Sequence, residues 1–253
     1  MITDPKDHYT KMPIPTLKSL DWDQVSQKNV NESGEELVSA SLIPERILVR
    51  PEYFFQGIPQ ALPECYARKG VVSKLVNASL KLPMGYKLVI LDSWRPLALQ
   101  QSLFDTFIKE LKEQHPKKTD PEIETMATAF VARPSTSDNN PSPHLTGGAV
   151  DLTLADDKGI LLDMGTEFDA TCPQSHTRHF EEKLEQGEPL SPNEQLQAQN
   201  RRLLFHVMAE TGFTNYPNEW WHFDYGNQNW AFMNQEENHS AIYGPIHRKC
   251  RWS

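Results

Sequence analysis

The chain has 253 residues, of which 38% are hydrophobic, and a formal net charge of −9. That length suits one large domain or two small ones with a packed core, and the acidic balance argues against a nucleic-acid partner, since phosphate binding needs clustered Lys and Arg. No apolar run is long enough for a membrane span, and the first twenty residues hold neither an apolar signal-type stretch nor a small-residue cleavage site, so a soluble cytoplasmic protein is expected. Cys65, Cys172 and Cys250 are odd in number and widely spaced, without CxxC pairing, which fits reduced thiols in a reducing compartment.

Taken in chain order, residues 1–45 are polar and weakly periodic and are expected to form an irregular arm ahead of a domain at 46–253. Apolar spacing predicts a helix from Pro63 to Leu80, with Val72, Leu75, Val76 and Leu80 on one stripe. Pro83-Met84-Gly85 turns into Tyr86–Asp92, an apolar run of strand length that stops at Ser93-Trp94-Arg95-Pro96. A helix is expected over Leu97–Glu113, and another from Asp120, an N-cap followed by proline, to Ala132. Residues 133–143 read as loop, Ala149–Leu154 as a short strand, and 170–190 as irregular. Ser191-Pro192-Asn193-Glu194 has capping-box spacing and opens a helix that closes at Gly212. A strand over Trp220–Tyr225 comes next. Helices and strands mixed without regular βαβ alternation predict an α+β single domain.

Two segments carry the chemistry. In Ser142-Pro143-His144-Leu145-Thr146-Gly147-Gly148-Ala149-Val150-Asp151, a histidine in a loop and an aspartate in the next strand stand seven positions apart. The two glycines between them permit a sharp backbone path. In Glu219-Trp220-Trp221-His222-Phe223, a regular strand would put the acid and the histidine on opposite faces. Glu219 therefore belongs in the turn ahead of the strand, from which its carboxylate can swing back. Each segment alone is weak: a histidine beside a glycine turn is more often structural, and an aromatic strand more often core. Together they offer His144, Asp151 and His222 as three metal ligands and Glu219 as a base, the layout of a catalytic zinc site. Arg95, at the end of an apolar strand, reads equally as a surface arginine or as a guanidinium for a developing oxyanion, and spacing does not choose.

The pattern SxHxxGxAxD at 142–151, with ExxH further on at 219–222, resembles the zinc D,D-peptidases of the LAS type. Segments 85–107, 142–154, 164–169 and 193–223 resemble, in order, the D-alanyl-D-alanine dipeptidases of the VanX type. The resemblance implies a LAS/Hedgehog-type fold, with a small, mainly antiparallel sheet flanked by helices. It implies one zinc per chain on His144, Asp151 and His222, with Glu219 as general base and Arg95 stabilising the transition state. Asp169, in MGTEFD, would bind the free ammonium of a small D,D-dipeptide, and Ser142 would line the pocket. Trp94 replaces a common tyrosine, and Val49 stands where a relative has a substrate-side tyrosine.

A second enzyme reading uses the same zinc centre as a D,D-carboxypeptidase or endopeptidase on peptidoglycan peptides. Asp169 discriminates, because a clamp on the free amine excludes longer peptides. A non-catalytic zinc module is the third reading, and the presence of Glu219 counts against it. His176 and His179 form an HxxH pair in a charged stretch, read as a solvated loop rather than a second metal site.

Overall fold

The computed structural model describes residues 5–247 apart from 129–130, 132–133, 136, 138–139 and 235–238. The expected helix end at Ala132, part of the 133–143 loop and Cys250 lie outside the described residues. Among the described residues seven strands are formed: β1 (Leu37–Ser39), β2 (Ile47–Val49), β3 (Tyr66–Arg68), β4 (Lys87–Asp92), β5 (Ala149–Ala155), β6 (Thr214–Asn215) and β7 (His222–Asp224). Five of them make one sheet in the order β2-β4-β5-β7-β6, antiparallel except for the β2–β4 pair, while β1 and β3 form a separate antiparallel ribbon. With helices packed against the sheet, this is the α+β domain expected from the sequence.

The sheet owes its burial to alternation. Along β5, Val150, Leu152 and Leu154 point to one face, where they join Leu88, Ile90 and Phe223 beneath two helices, Lys69–Lys81 and Pro192–Ala209. Full burial of each such side chain is worth roughly 1.5–3 kcal/mol. The other face takes Asp151, and there the sheet turns polar. One irregularity in β4 shapes that polar face. Ile90 pairs with Leu152, yet Asp92 pairs with Asp151, so β4 carries an extra residue at this point. Such a bulge re-aims the side chains beyond it. Asp92, which strict alternation would bury with Leu88 and Ile90, instead stands beside Asp151.

Several expected boundaries move. The helix foreseen from Pro63 begins at Lys69, because Tyr66–Arg68 is drawn into pairing with Leu37–Ser39, and Leu80 is exposed rather than on the buried stripe. The segment expected to be irregular before residue 45 contains helices Pro5–Lys11 and Trp22–Ser26 as well as β1. The first helix is held against Pro192–Ala209 by Tyr9 Oη donating to Glu210 (2.7 Å), and just after it the Met12 carbonyl meets His206 Nε2 (2.9 Å). Residues 173–175 and 179–185 are helical within the stretch read as irregular. The capping box at Ser191 and Glu194 forms in full. No described helix is long and apolar enough to cross a membrane.

Candidate metal centre

The centre lies where β4, β5 and β7 run side by side. Asp92 faces Asp151, and Asp151 faces His222, so three polar side chains form a row across the sheet. His144 comes to the same place from the short 3-10 turn Pro143–Thr146 that leads into β5. Both glycines after that turn are required. Gly147 adopts φ +69°, a left-handed conformation, and a Cβ on Gly148 would lie 2.5 Å from the Tyr225 carbonyl.

His144 Nε2, His222 Nδ1 and an Asp151 carboxylate oxygen lie within 4.8 Å of one another, all on buried residues. The partners of the outer ring nitrogens fix which atoms face inward. His144 Nδ1 donates to the Ser93 carbonyl (2.7 Å), which leaves a lone pair on Nε2. His222 Nε2 meets Asp224 Oδ1 (3.2 Å), which leaves a lone pair on Nδ1. Those two nitrogens are 3.2 Å apart, and His222 Nδ1 is 3.0 Å from Asp151 Oδ1. Three Lewis bases thus converge at close range, and the arrangement calls for a positive charge. A proton on His222 is one answer: burial opposes it, but Asp224 and Asp151 together hold the imidazole well above its ordinary value. A zinc ion is the other, and two imidazoles with one carboxylate are a donor set that suits it.

Glu219 sits in the hydrogen-bonded turn before β7. Its amide donates to the Tyr216 carbonyl and its carbonyl accepts from His222, while Asn215 Nδ2 holds the same carbonyl from the side. The turn swings Glu219 Oε2 to 3.9 Å from His222 Nδ1. Burial pushes the carboxyl up to about 7; His222 opposes the shift, and Asp151 and Asp169 add to it.

Arg95 is locked beside Asp92 and Asp151. Its Nε and a terminal nitrogen both donate to Asp92 Oδ2 (2.9 and 2.7 Å), and another donates to Gln100 Oε1 (2.9 Å). The guanidinium also lies 3.6 Å from Asp151 Oδ2. The choice that spacing left open is therefore decided for location: Arg95 is enclosed beside the ligand cluster. Asp92 and Gln100, which anchor it, were not legible as site residues, because the bulge that aims Asp92 leaves no mark in the sequence pattern.

Tyr53 is a further residue that sequence reading missed. It lies on the short helix Glu52–Phe55, buried, and its hydroxyl donates to Asp169 Oδ2 (2.6 Å) while accepting from Arg95 (3.2 Å). Val49, by contrast, pairs with Ile90 in the sheet. Asp169 reaches solvent as a residue, with a left-handed backbone at φ 61°. Its carboxyl turns inward, and that enclosure raises it to about 6 against the opposing effects of the Tyr53 hydrogen bond and Arg95. The loop carrying it is anchored by buried Arg201, which donates to the carbonyls of Met164, Gln174 and His176. His176 thus serves this anchor through its backbone, and His179 opens a helix. Ser142 is half-buried and starts the turn that bears His144, its carbonyl accepting from Leu145.

Two histidines, an aspartate and a neighbouring glutamate gathered over the middle strands of the sheet are the donor set and acid that a metallopeptidase centre uses. Residues 58–242 match the M15 peptidase family described as D-ala-D-ala dipeptidase. A D-alanyl-D-alanine dipeptidase of Synechocystis sp. is 32% identical over 236 residues, covering 88% of this chain and 92% of that relative. One from Escherichia coli K12 is 30% identical over 162 residues, covering 63% of this chain and 66% of the relative. Among solved structures, a vancomycin resistance D,D-pentapeptidase VanY in complex with Zn(II) aligns with a TM-score of 0.38 at 18% identity, covering 83% of this chain and 90% of that one. The chain belongs to the D-Ala-D-Ala dipeptidase family of M15 peptidases.

Proposed function

We propose that this protein hydrolyses D-Ala-D-Ala, or a closely similar free D,D-dipeptide, with one zinc ion per chain held by His144, Asp151 and His222. The observation that carries the reading is the convergence of two inward imidazole lone pairs and a carboxylate, with Glu219 beside His222 and Arg95 beside Asp151. Zinc bound there supplies a Lewis acid that polarises the scissile carbonyl and acidifies water. Glu219 takes a proton from the attacking water as the new C–O bond forms. It then delivers that proton to the departing amine as the C–N bond breaks. A carboxyl near neutrality suits both transfers. Arg95, held rigid by Asp92 and Gln100, faces the oxygen that becomes negative in the tetrahedral state.

Asp169 is assigned to the free ammonium of the substrate, with Tyr53 orienting its carboxylate, and Ser142 to the pocket wall. An amine clamp makes the enzyme a dipeptidase rather than a carboxypeptidase. A cytoplasmic setting completes the proposal, in keeping with free thiols at Cys65 and Cys172.

The test is D-Ala release from D-Ala-D-Ala beside N-acetyl-D-Ala-D-Ala, with and without a zinc chelator. Chelator-sensitive cleavage of the free dipeptide alone is expected. Equal cleavage of the blocked substrate would replace this reading with the carboxypeptidase one. Cleavage of neither by zinc-loaded protein would remove the substrate assignment.

A further inference from the structure

Beyond the ligands themselves, the end of β7 holds a buried carboxylate that the reaction does not use. Asp224 lies two residues after His222 and on the same face of the strand. It is 2% exposed. Its Oδ1 faces His222 Nε2 at 3.2 Å and accepts from Asn227 Nδ2 at 2.5 Å, and its Oδ2 accepts from Asn229 Nδ2 at 3.0 Å. Both asparagines are buried too, at 1% and 4% exposure. Asn227 is itself fixed, because its Oδ1 accepts from the Trp230 amide at the start of the helix Gln228–Met233.

Burying a carboxylate costs several kcal/mol unless its oxygens are satisfied. Here two amide groups and an imidazole surround it, and the amides cannot neutralise it. The two amides hold the carboxylate in place, with its remaining direction aimed at one ring nitrogen. His144 has no such partner in its nearest contact: its outer nitrogen donates to a neutral carbonyl, with Asp92 Oδ2 more distant at 3.4 Å and already shared by two nitrogens of Arg95. The two imidazoles are thus backed unequally.

We propose that Asp224, clamped by Asn227 and Asn229, is a positioning residue for the metal centre. It holds His222 in the tautomer that carries its proton on Nε2, presents the Nδ1 lone pair to the metal and raises the donor strength of that ring. The proposal rests on the zinc reading of His144, Asp151 and His222. Removal of an outer carboxylate of this kind weakens metal binding by about 10–100-fold.

The experiment is zinc affinity of the full chain, measured by competition with a chromophoric chelator, for the unmodified protein and for Asp224→Asn, Asn229→Ala and His222→Ala, with thermal melts of each zinc-free protein. Asp224→Asn keeps the shape and removes the charge, so its zinc Kd should rise about 10–100-fold. Asn229→Ala, which frees one oxygen of Asp224 but leaves its contact with His222, should raise it by a smaller factor, about 3–10-fold, the loss expected for about 0.5–1.5 kcal/mol of positioning. A merely structural role would lower the zinc-free melting temperature and leave the zinc Kd unchanged, and that result in Asp224→Asn overturns the proposal. Should Asp224→Asn fail to fold, an unchanged Kd in Asn229→Ala overturns it instead. His222→Ala keeps the two readings apart: if that variant binds zinc like the unmodified protein, the metal assignment fails rather than the role of Asp224.

Discussion

The three proposed metal ligands and the proposed base come from strands or from turns leading into them, whereas the proposed amine clamp is held by a four-residue helix and a loop. His144, Asp151 and His222 are 2–6% exposed, and their neighbours Asp92 and Asp224 are buried as well. Tyr53 and Asp169 sit on the helix Glu52–Phe55 and on a left-handed loop residue. Register across a sheet fixes atoms closely, so the proposed ligands are positioned by the core itself. On the proposed assignment, substrate choice would hang on short elements that one loop can alter.

The largest effect should come from the metal end. Glu219→Gln should lower kcat by about 10²–10⁴-fold while zinc content, measured by metal analysis, stays stoichiometric. His144→Ala should lose both. A loss of only a few-fold in Glu219→Gln would remove this residue as the base and leave the metal end without its proton carrier.

Next comes Asp169→Asn at the amine end. Asparagine tolerates the left-handed backbone at this position, so the substitution removes charge with little added strain. One charge-assisted contact to the ammonium is worth roughly 1.5–3 kcal/mol, or about 10–100-fold in kcat/KM on the free dipeptide. The variant should discriminate little between free and N-acetylated substrates. If it still rejects the blocked dipeptide as strongly as the unmodified protein, selection lies elsewhere in the cleft.

A smaller, graded effect stems from acidity. The Asp169 carboxyl is raised to about 6, so it becomes neutral as pH falls through that value. Only the ionised form attracts an ammonium group. KM should therefore climb below about pH 6, by up to tenfold per pH unit, and this limb should vanish in Asp169→Asn. A KM profile of the Asn variant that retains the limb would assign it to another group.

The contrast between the two ends also explains what could be read from the sequence. The ligands fall in two contiguous motifs because a turn and a strand carry them, so His144, Asp151, Glu219 and His222 could be named together. The capping box at Ser191 is local chemistry and was equally legible. Asp92 was not, because its inward aim depends on a bulge at Ile90–Asp92 that strand periodicity does not encode. Asp224 reads as one more polar residue after an aromatic strand until Asn227 and Asn229 close around it. The helix Pro5–Lys11 depends on Tyr9 and Met12 docking onto a helix nearly two hundred residues away, so no local periodicity announces it. Likewise Tyr66–Arg68 continues an apolar pattern that looks helical, and only its partner β1 makes it a strand.

Tyr53 gives the finest test of how the ends are joined. Its hydroxyl touches both Arg95, beside the proposed metal ligands, and Asp169, the proposed amine clamp. Tyr53→Phe removes that bridge and little volume. Arg95 keeps its bonds to Asp92 and Gln100, so the oxyanion side should hold. Asp169 loses the donor that orients it, and one such hydrogen bond is worth about 1 kcal/mol. KM for the free dipeptide should therefore rise about fivefold with kcat changed less. A fall in kcat with KM unchanged would show that Tyr53 acts through Arg95, and the proposed metal site and amine clamp would then be one unit rather than two.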